Sequence, residues 1–422
     1  MTTGRLAPDT RLPSSRALAG DLGVARNTVA GAYGQLVAEG WLTAKVGAGT
    51  RVATQPRATT TPTTPRRKQK LKYDLIAGAP TLTNFPRTEW LTAARRALAT
   101  APADTFGYTD PRGQPALRDA LAGYLARARG VRVTPDQIVV CSGFTQGLSL
   151  LSQVLAARGH TTMAVEAYGH QSHRDIARRA GLEITTVPVD EAGADIGDAS
   201  DCVLLTPAHQ FPLGMPLAAH RRTQAAAGNA LVIEDDYDGE FRYDRHPMGA
   251  LQALAPAHVV YAGTASKSLA PGIRVAWLVL PPHLVDDVAE AKRQADGHCG
   301  AIDQLTLAEF IESGGYDRHI RRCRLAYRRR RDRLIGTLRD TKVTGVAAGL
   351  HAVVELPDGV TENEVITRAA AHGLALEGLS EYHRGGRKRA PALVVGYATP
   401  TDPTYTAAIA RLGAVLAERP GK

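Results

Sequence analysis

The sequence predicts a two-part α/β protein: a small helical head closed by a β-hairpin, then a large body built on a mostly parallel sheet, with a smaller α+β lobe from about residue 301 to 422. Three observations carry that expectation. Residues 1–53 hold two short amphipathic helical stretches followed by two strand-like pieces around a glycine-rich turn. Residues 54–72, TQPRATTTPTTPRRKQKLK, offer a single Leu for burial and have the composition of an extended basic linker. From residue 73 on, helical-period stretches alternate with apolar runs, QIVVC, TTMAV, DCVLLT, ALVIED, VVYAG and VAWLVLP, the rhythm of strands covered by helices.

Composition narrows the function classes. At 422 residues and 44% hydrophobic the chain exceeds one core and calls for at least two domains. Lys and Arg outnumber Asp and Glu by 51 to 41, a formal +10 that suits a polyanionic partner. Four cysteines without CxxC spacing argue against a disulfide framework or a zinc site, and His170, His173, His209, His246 and His351 do not fall at metal-ligand spacings. Neither a signal-peptide core nor a run long enough to span a bilayer is present, so a cytoplasmic setting fits best.

In the head, Ser14 or Ser15 can cap a helix carrying Leu18 and Leu22 on one buried face, and Gly23 ends it. A second helix runs from about Arg26 to Glu39, with Gly40 as its stop. Trp41–Lys45 and Thr50–Ala53 flank the turn Val46-Gly47-Ala48-Gly49. The stretch LPSSRALAGDLGVARNTVAGAYGQLVAEGWL followed by GAGTRVA resembles the winged helix-turn-helix of the GntR superfamily. That resemblance implies double-stranded DNA as partner. Arg26, Asn27 and Thr28 would reach base edges from the N-terminus of the second helix, Ser14, Ser15 and Arg16 would hold phosphates, and Lys45, Gly47, Gly49 and Thr50 would place the wing near the minor groove. Relatives usually carry one more helix ahead of this segment, so the head is expected to lack part of its cover.

In the body, Gly263-Thr264-Ala265-Ser266-Lys267-Ser268 through Arg274 lies between two apolar runs, where a lysine is costly unless it has a task. Its amine can form a Schiff base with an aldehyde cofactor, while Thr264, Ser266 and Arg274 supply donors for a phosphate. Upstream, Leu231-Val232-Ile233-Glu234-Asp235-Asp236-Tyr237 is an apolar strand ending in acids and a phenol. Together with FGYTDPRG, SGFTQG and TPAHQFPLG, these features resemble fold-type-I aminotransferases, and HQFPLG and EDDYDGEFRY resemble the MocR regulators in particular.

The resemblance implies pyridoxal 5′-phosphate (PLP) as cofactor. It assigns Lys267 as the Schiff-base lysine, Asp235 as partner of the pyridinium nitrogen, and Tyr237 and Gln210 as neighbours of the ring oxygen. Backbone amides of Phe144, Thr145 and Gln146 would face the phosphate, His170 would stack on the ring in place of the usual Tyr, and Tyr108 would reach the site of a neighbouring subunit in a homodimer. The position that grips a substrate carboxylate in aminotransferases is Val394 here, with Arg389 nearby, which disfavours efficient transamination. The Arg-rich stretch Tyr316–Arg331 reads as a solvated and packed helix.

The expected function is a DNA-binding transcription regulator that senses an amine, an amino acid or PLP itself. The alternative is a working PLP-dependent aminotransferase with a vestigial head. A DNA-binding scaffold that has lost its cofactor conflicts with the joint presence of Lys267, Asp235, Tyr237 and Arg274.

Overall fold

The computed structural model describes residues 6–45, 47–54, 71–197, 200–243 and 248–418. Most of the linker, residue 46 of the wing turn and His246 lie outside these described residues. The chain divides into two compact units, Met1–Gln69 and Lys70–Lys422.

In the first unit, helix α1 (Ser15–Leu22) starts where the Ser14 hydroxyl accepts the Ala17 amide at 3.1 Å, and it stops at Gly23 in the left-handed conformation. Helix α2 (Arg26–Ala38) follows after a three-residue turn. Strands β1 (Leu42–Lys45) and β2 (Gly49–Val52) form the antiparallel hairpin. Residues 9–12 also hydrogen-bond along β2, with the Asp9 amide on Val52 O at 2.9 Å and the Leu12 amide on Thr50 O at 2.9 Å, a third strip that the sequence pattern did not reveal. The core is Ala19, Val29, Leu42 and Val52. Leu22, expected on the buried face, is 62% exposed. Leu22 is the last residue of α1, beside the turn, and the buried contact of the two helices falls to the smaller Ala19 and to Val29 instead.

The second unit runs β3 (Tyr73–Asp74), α3 (Arg87–Thr100), α4 (Pro115–Arg129), β4 (Ile138–Cys141), α5 (Phe144–Ala157), β5 (Thr162–Glu166), α6 (Gln171–Arg179), β6 (Glu183–Val187), β7 (Val189–Asp190), β8 (Gly193–Ala194), β9 (Cys202–Leu205), α7 (Ala219–Ala227), β10 (Leu231–Asp235), β11 (Val259–Thr264), α8 (Ala265–Ser268), β12 (Ala276–Val279) and α9 (Pro282–Asp296). It continues with α10 (Ala301–Glu312), α11 (Gly315–Thr337), β13 (Val343–Thr344), β14 (His351–Glu355), α12 (Glu362–Ala371), β15 (Leu374–Ala375), β16 (Glu377–Gly378), β17 (Ala392–Gly396) and α13 (Asp402–Ala417).

All six apolar runs are strands of one seven-stranded sheet, ordered β4-β12-β11-β10-β9-β5-β6, in which β12 alone runs antiparallel to its neighbours. The central strands are buried along their whole length, which is why they read as continuous apolar runs rather than alternating ones. A second sheet, β13-β14-β17-β16, belongs to the smaller lobe, and β3 pairs with β15, so the first residues of the body join that lobe. Helix α11 buries Arg330, whose guanidinium is held by Asp402 and by the carbonyls of Tyr397 and Ala398. Among the described residues no helix is long and apolar enough to cross a membrane.

Candidate cofactor site

Parallel strands release their C-terminal ends on one edge of the sheet, and the loops after them converge there. Strand β10 delivers Asp235 and then Tyr237, and β11 delivers Thr264 and the short helix α8 that carries Lys267. Strand β4 delivers Gly143 and the N-terminus of α5, and the turn before β12 delivers Arg274. These residues enclose a cavity of about 250 Å³, to which Gly78, Glu166, His170, His173, Thr206, Phe211 and His351 also contribute.

Burial shifts two groups in this cavity from their ordinary range. Burial pushes the Asp235 carboxyl up to about 8, against the pull of the nearby Lys267 charge. Burial likewise lowers the Lys267 amine, against Asp235 and Asp238. The ammonium donates to the Gly78 carbonyl, and Asp235 makes no hydrogen bond among the described residues. A buried carboxyl without a partner is destabilising unless a donor comes to it. That is the fit expected for a ligand bearing a protonated ring nitrogen.

The opposite end is built for an anion. Phe144 and Thr145 open α5, whose first-turn amides have no helical partner. The Gln146 amide, however, closes on Gly143 O at 3.1 Å, so it does not face the cavity as expected. Gly143 has φ +104°, and a Cβ there would come within 2.6 Å of the Arg274 guanidinium, a close approach that only glycine permits. Thr264 caps α8 by accepting the Ser266 amide at 3.1 Å, and both side chains line the cavity.

One further expectation needs correction. Gln210 is not a lining residue. Its amide group donates to Tyr168 O at 3.0 Å and Phe211 O at 2.7 Å, and its oxygen accepts the Leu213 amide at 3.0 Å, so it braces the turn and has nothing left for a ring oxygen. The Tyr237 phenol lines the cavity, where its hydroxyl donates to His209 O at 3.1 Å. Arg389 is directed elsewhere, 3.6 Å from Glu191, and lines a separate groove. Val394 is fully buried in an apolar cluster with Phe211, Leu213 and Tyr382.

The His209–Asp238 pair and Glu166 escaped sequence reasoning, whereas His170 and Tyr108 did not. His209 Nδ1 lies 2.8 Å from Asp238, and since the carboxylate can only accept, the ring proton sits on Nδ1. The pair stands behind Tyr237. Asp238 lay in the quoted EDDYDG motif and His209 in AHQFPLG, so the signal was present, but their contact joins segments 29 residues apart. Glu166 accepts from Thr206 Oγ1 at 2.6 Å, and burial raises it to about 7. His170 stacks on Phe211 with centroids 4.4 Å apart, and burial and the Lys267 charge lower it to about 4, so it is a neutral ring near pH 7. Tyr108 is wholly exposed and touches no part of its own chain's cavity.

In the head, Arg16, Arg26, Asn27, Thr28, Lys45, Gly47 and Gly49 are exposed, as is Ser14 with its hydroxyl given to the cap. Ser15 and Thr50 are half-buried. Helix α2 has no side-chain cap at Ala25, which leaves the Arg26 and Asn27 amides open to an anion.

Comparison with known proteins agrees with both units. The model of the gntR family of bacterial regulatory proteins matches residues 1–52, and that of aminotransferase class I and II matches residues 72–384. The HTH-type pyridoxine biosynthesis transcriptional regulator PdxR of Corynebacterium glutamicum is 34% identical over 97% of this chain and 92% of that protein. The probable rhizopine catabolism regulatory protein MocR of Rhizobium meliloti is 31% identical over 87% of this chain and 81% of that protein. Among solved structures, an archaeal alanine:glyoxylate aminotransferase superposes with a TM-score of 0.74 at 24% identity, covering 83% of this chain and 91% of that one. The chain therefore belongs to the MocR/PdxR-type transcription regulators, with a gntR-family DNA-binding head joined to a fold-type-I aminotransferase body.

Proposed function

We propose that the body holds pyridoxal 5′-phosphate through Lys267 and that the regulator uses it to sense an amine, an amino acid or the cofactor itself. The single observation that carries this reading is Lys267 facing an unpartnered Asp235 across one cavity, with Arg274 and the α5 N-terminus at its other end. When bound, the cofactor supplies an aldehyde that captures amines and a ring that withdraws electrons. Asp235 holds a proton for the ring nitrogen, Phe144, Thr145 and Arg274 bind the phosphate, and His170 offers a neutral aromatic face beside Phe211.

Occupancy can change DNA binding only by favouring one of two arrangements of the protein. The exposed Tyr108 supports a homodimer in which it reaches the partner's site, and two heads would then read two half-sites. The buried Val394, where a carboxylate clamp would stand, favours sensing over turnover.

The test is a pair of measurements on the full chain with PLP and candidate amines: gel shift on its own promoter, and release of keto acid. Amine-dependent shifts without keto acid support the sensor. Sustained keto-acid release makes the body an aminotransferase instead.

A further inference from the structure

Lys292 is 0% exposed inside α9, a costly place for an ammonium. Its charge is paired with Asp296 one helical turn on. The second Asp296 oxygen accepts from Gln146 Nε2 at 2.7 Å, and Gln146 Oε1 accepts the Ser142 amide at 2.7 Å. The Ser142 carbonyl in turn accepts from the Arg274 guanidinium. A carboxylate can only accept and a backbone N–H can only donate, so these two neighbours fix which way the Gln146 amide points. An unbroken line of hydrogen bonds thus runs from a buried lysine on α9, through the first turn of α5, to the one arginine lining the cavity among the described residues.

The turn being braced is an unusual one. Gly143 and Arg274 both have positive φ, +104° and +55°, and their atoms oppose each other. A backbone held in such conformations needs fixed neighbours.

We propose that Gln146, oriented by the Lys292–Asp296 pair, is the positioning residue of the phosphate-binding turn: it sets Ser142 and, through the Ser142 carbonyl, aims the Arg274 guanidinium at a phosphate monoester. This rests on the cofactor reading above and goes beyond it. Gln146 does not touch the ligand; its backbone amide is committed to Gly143. Its effect must therefore depend on the phosphate and spare the ring end of the cavity.

The experiment compares dissociation constants for PLP and for pyridoxal, which lacks the phosphate, read from the visible absorption of the full chain. In Gln146→Ala, PLP binding weakens on the order of tenfold while pyridoxal binding changes less than about twofold. Asp296→Asn, which keeps shape and loses the fixed acceptor, gives a selective loss in the same direction and serves if Gln146→Ala fails to fold by circular dichroism. Gln153→Ala, on the exposed face of α5 and bonded among the described residues only to Ser149, changes neither constant. Equal weakening of both ligands, or no weakening of PLP, overturns the assignment while leaving the cofactor reading intact. A wild-type chain with no Lys267-dependent band overturns both.

Discussion

Replacing Gly143 with alanine tests the anion end of the cavity with a single methyl group. The added Cβ would sit 2.6, 2.7 and 2.8 Å from three guanidinium atoms of Arg274, and ordinary contact begins near 3.4 Å. The guanidinium must therefore retreat by roughly 0.8 Å, or the turn must unwind. At φ +104° and ψ 160° the backbone is in a region that only glycine visits freely, so alanine also adds about 1–3 kcal/mol of strain to the folded state. Loss of well-aimed charge-assisted bonds to the phosphate is worth about 1.5–3 kcal/mol, or roughly 13- to 160-fold in affinity. Titration of the visible band with PLP and a thermal melt measure the two effects separately. Gly272→Ala is the matched control: it lies in the same loop as Arg274, without positive φ and with open space around its Cβ, and should bind as wild type. Wild-type affinity and melting in Gly143→Ala would refute the assignment of this turn to the phosphate.

Three other outcomes follow from the same structure. Arg129 and Asp236 form a fully buried two-bond pair at 2.6 and 2.9 Å that also holds the Tyr261 hydroxyl, so Arg129→Met, which strands a buried carboxylate, should lower unfolding stability by about 3–5 kcal/mol in a urea titration; a loss under 1 kcal/mol would show the pair to be dispensable. Ser14→Ala removes the cap of α1 and should destabilise the head by about 0.5–2 kcal/mol, read as weaker DNA binding in a gel shift at fixed salt, with unchanged PLP absorption. Asp235 is raised to about 8 when folded, so the folded chain holds a proton that the unfolded chain releases near pH 4. Its contribution is therefore lost as pH rises, and between pH 6.5 and 8, above the range where lowered histidines such as His170 oppose it, Asp235 should account for up to about 2 kcal/mol of the stability that cofactor-free protein loses, beside the share of buried carboxyls raised to about 7 such as Glu166. Asp235→Asn should flatten that decline, and equal slopes in both proteins would count against it.

The elements were legible because their signals are local. The six buried strands read as apolar runs of four to six residues, and the glycine-stopped helices of the head, the first of them capped by Ser14, were placed almost to the residue. Lys267 and Asp235 were legible because a lysine or an acid at the end of an apolar strand stands out against its surroundings. What escaped depends on pairs distant in sequence. The Lys292–Asp296–Gln146 line joins positions 150 apart, and nothing in the SGFTQG motif shows that Gln146 faces away from the anion. Gln210 failed for the same reason: its neighbours' carbonyls, visible only once the turn is folded, consume its amide. Leu22 followed helical period correctly and met no partner surface, because period states which residues share a face and not what lies opposite.

Whether Lys267 holds the cofactor is decided by the visible absorption spectrum of purified protein beside Lys267→Ala, each titrated with PLP. A band should saturate with PLP in the wild type, be absent in Lys267→Ala, and shift when a bound amine displaces the lysine. Identical spectra from the two proteins would contradict it and would leave the body as a scaffold.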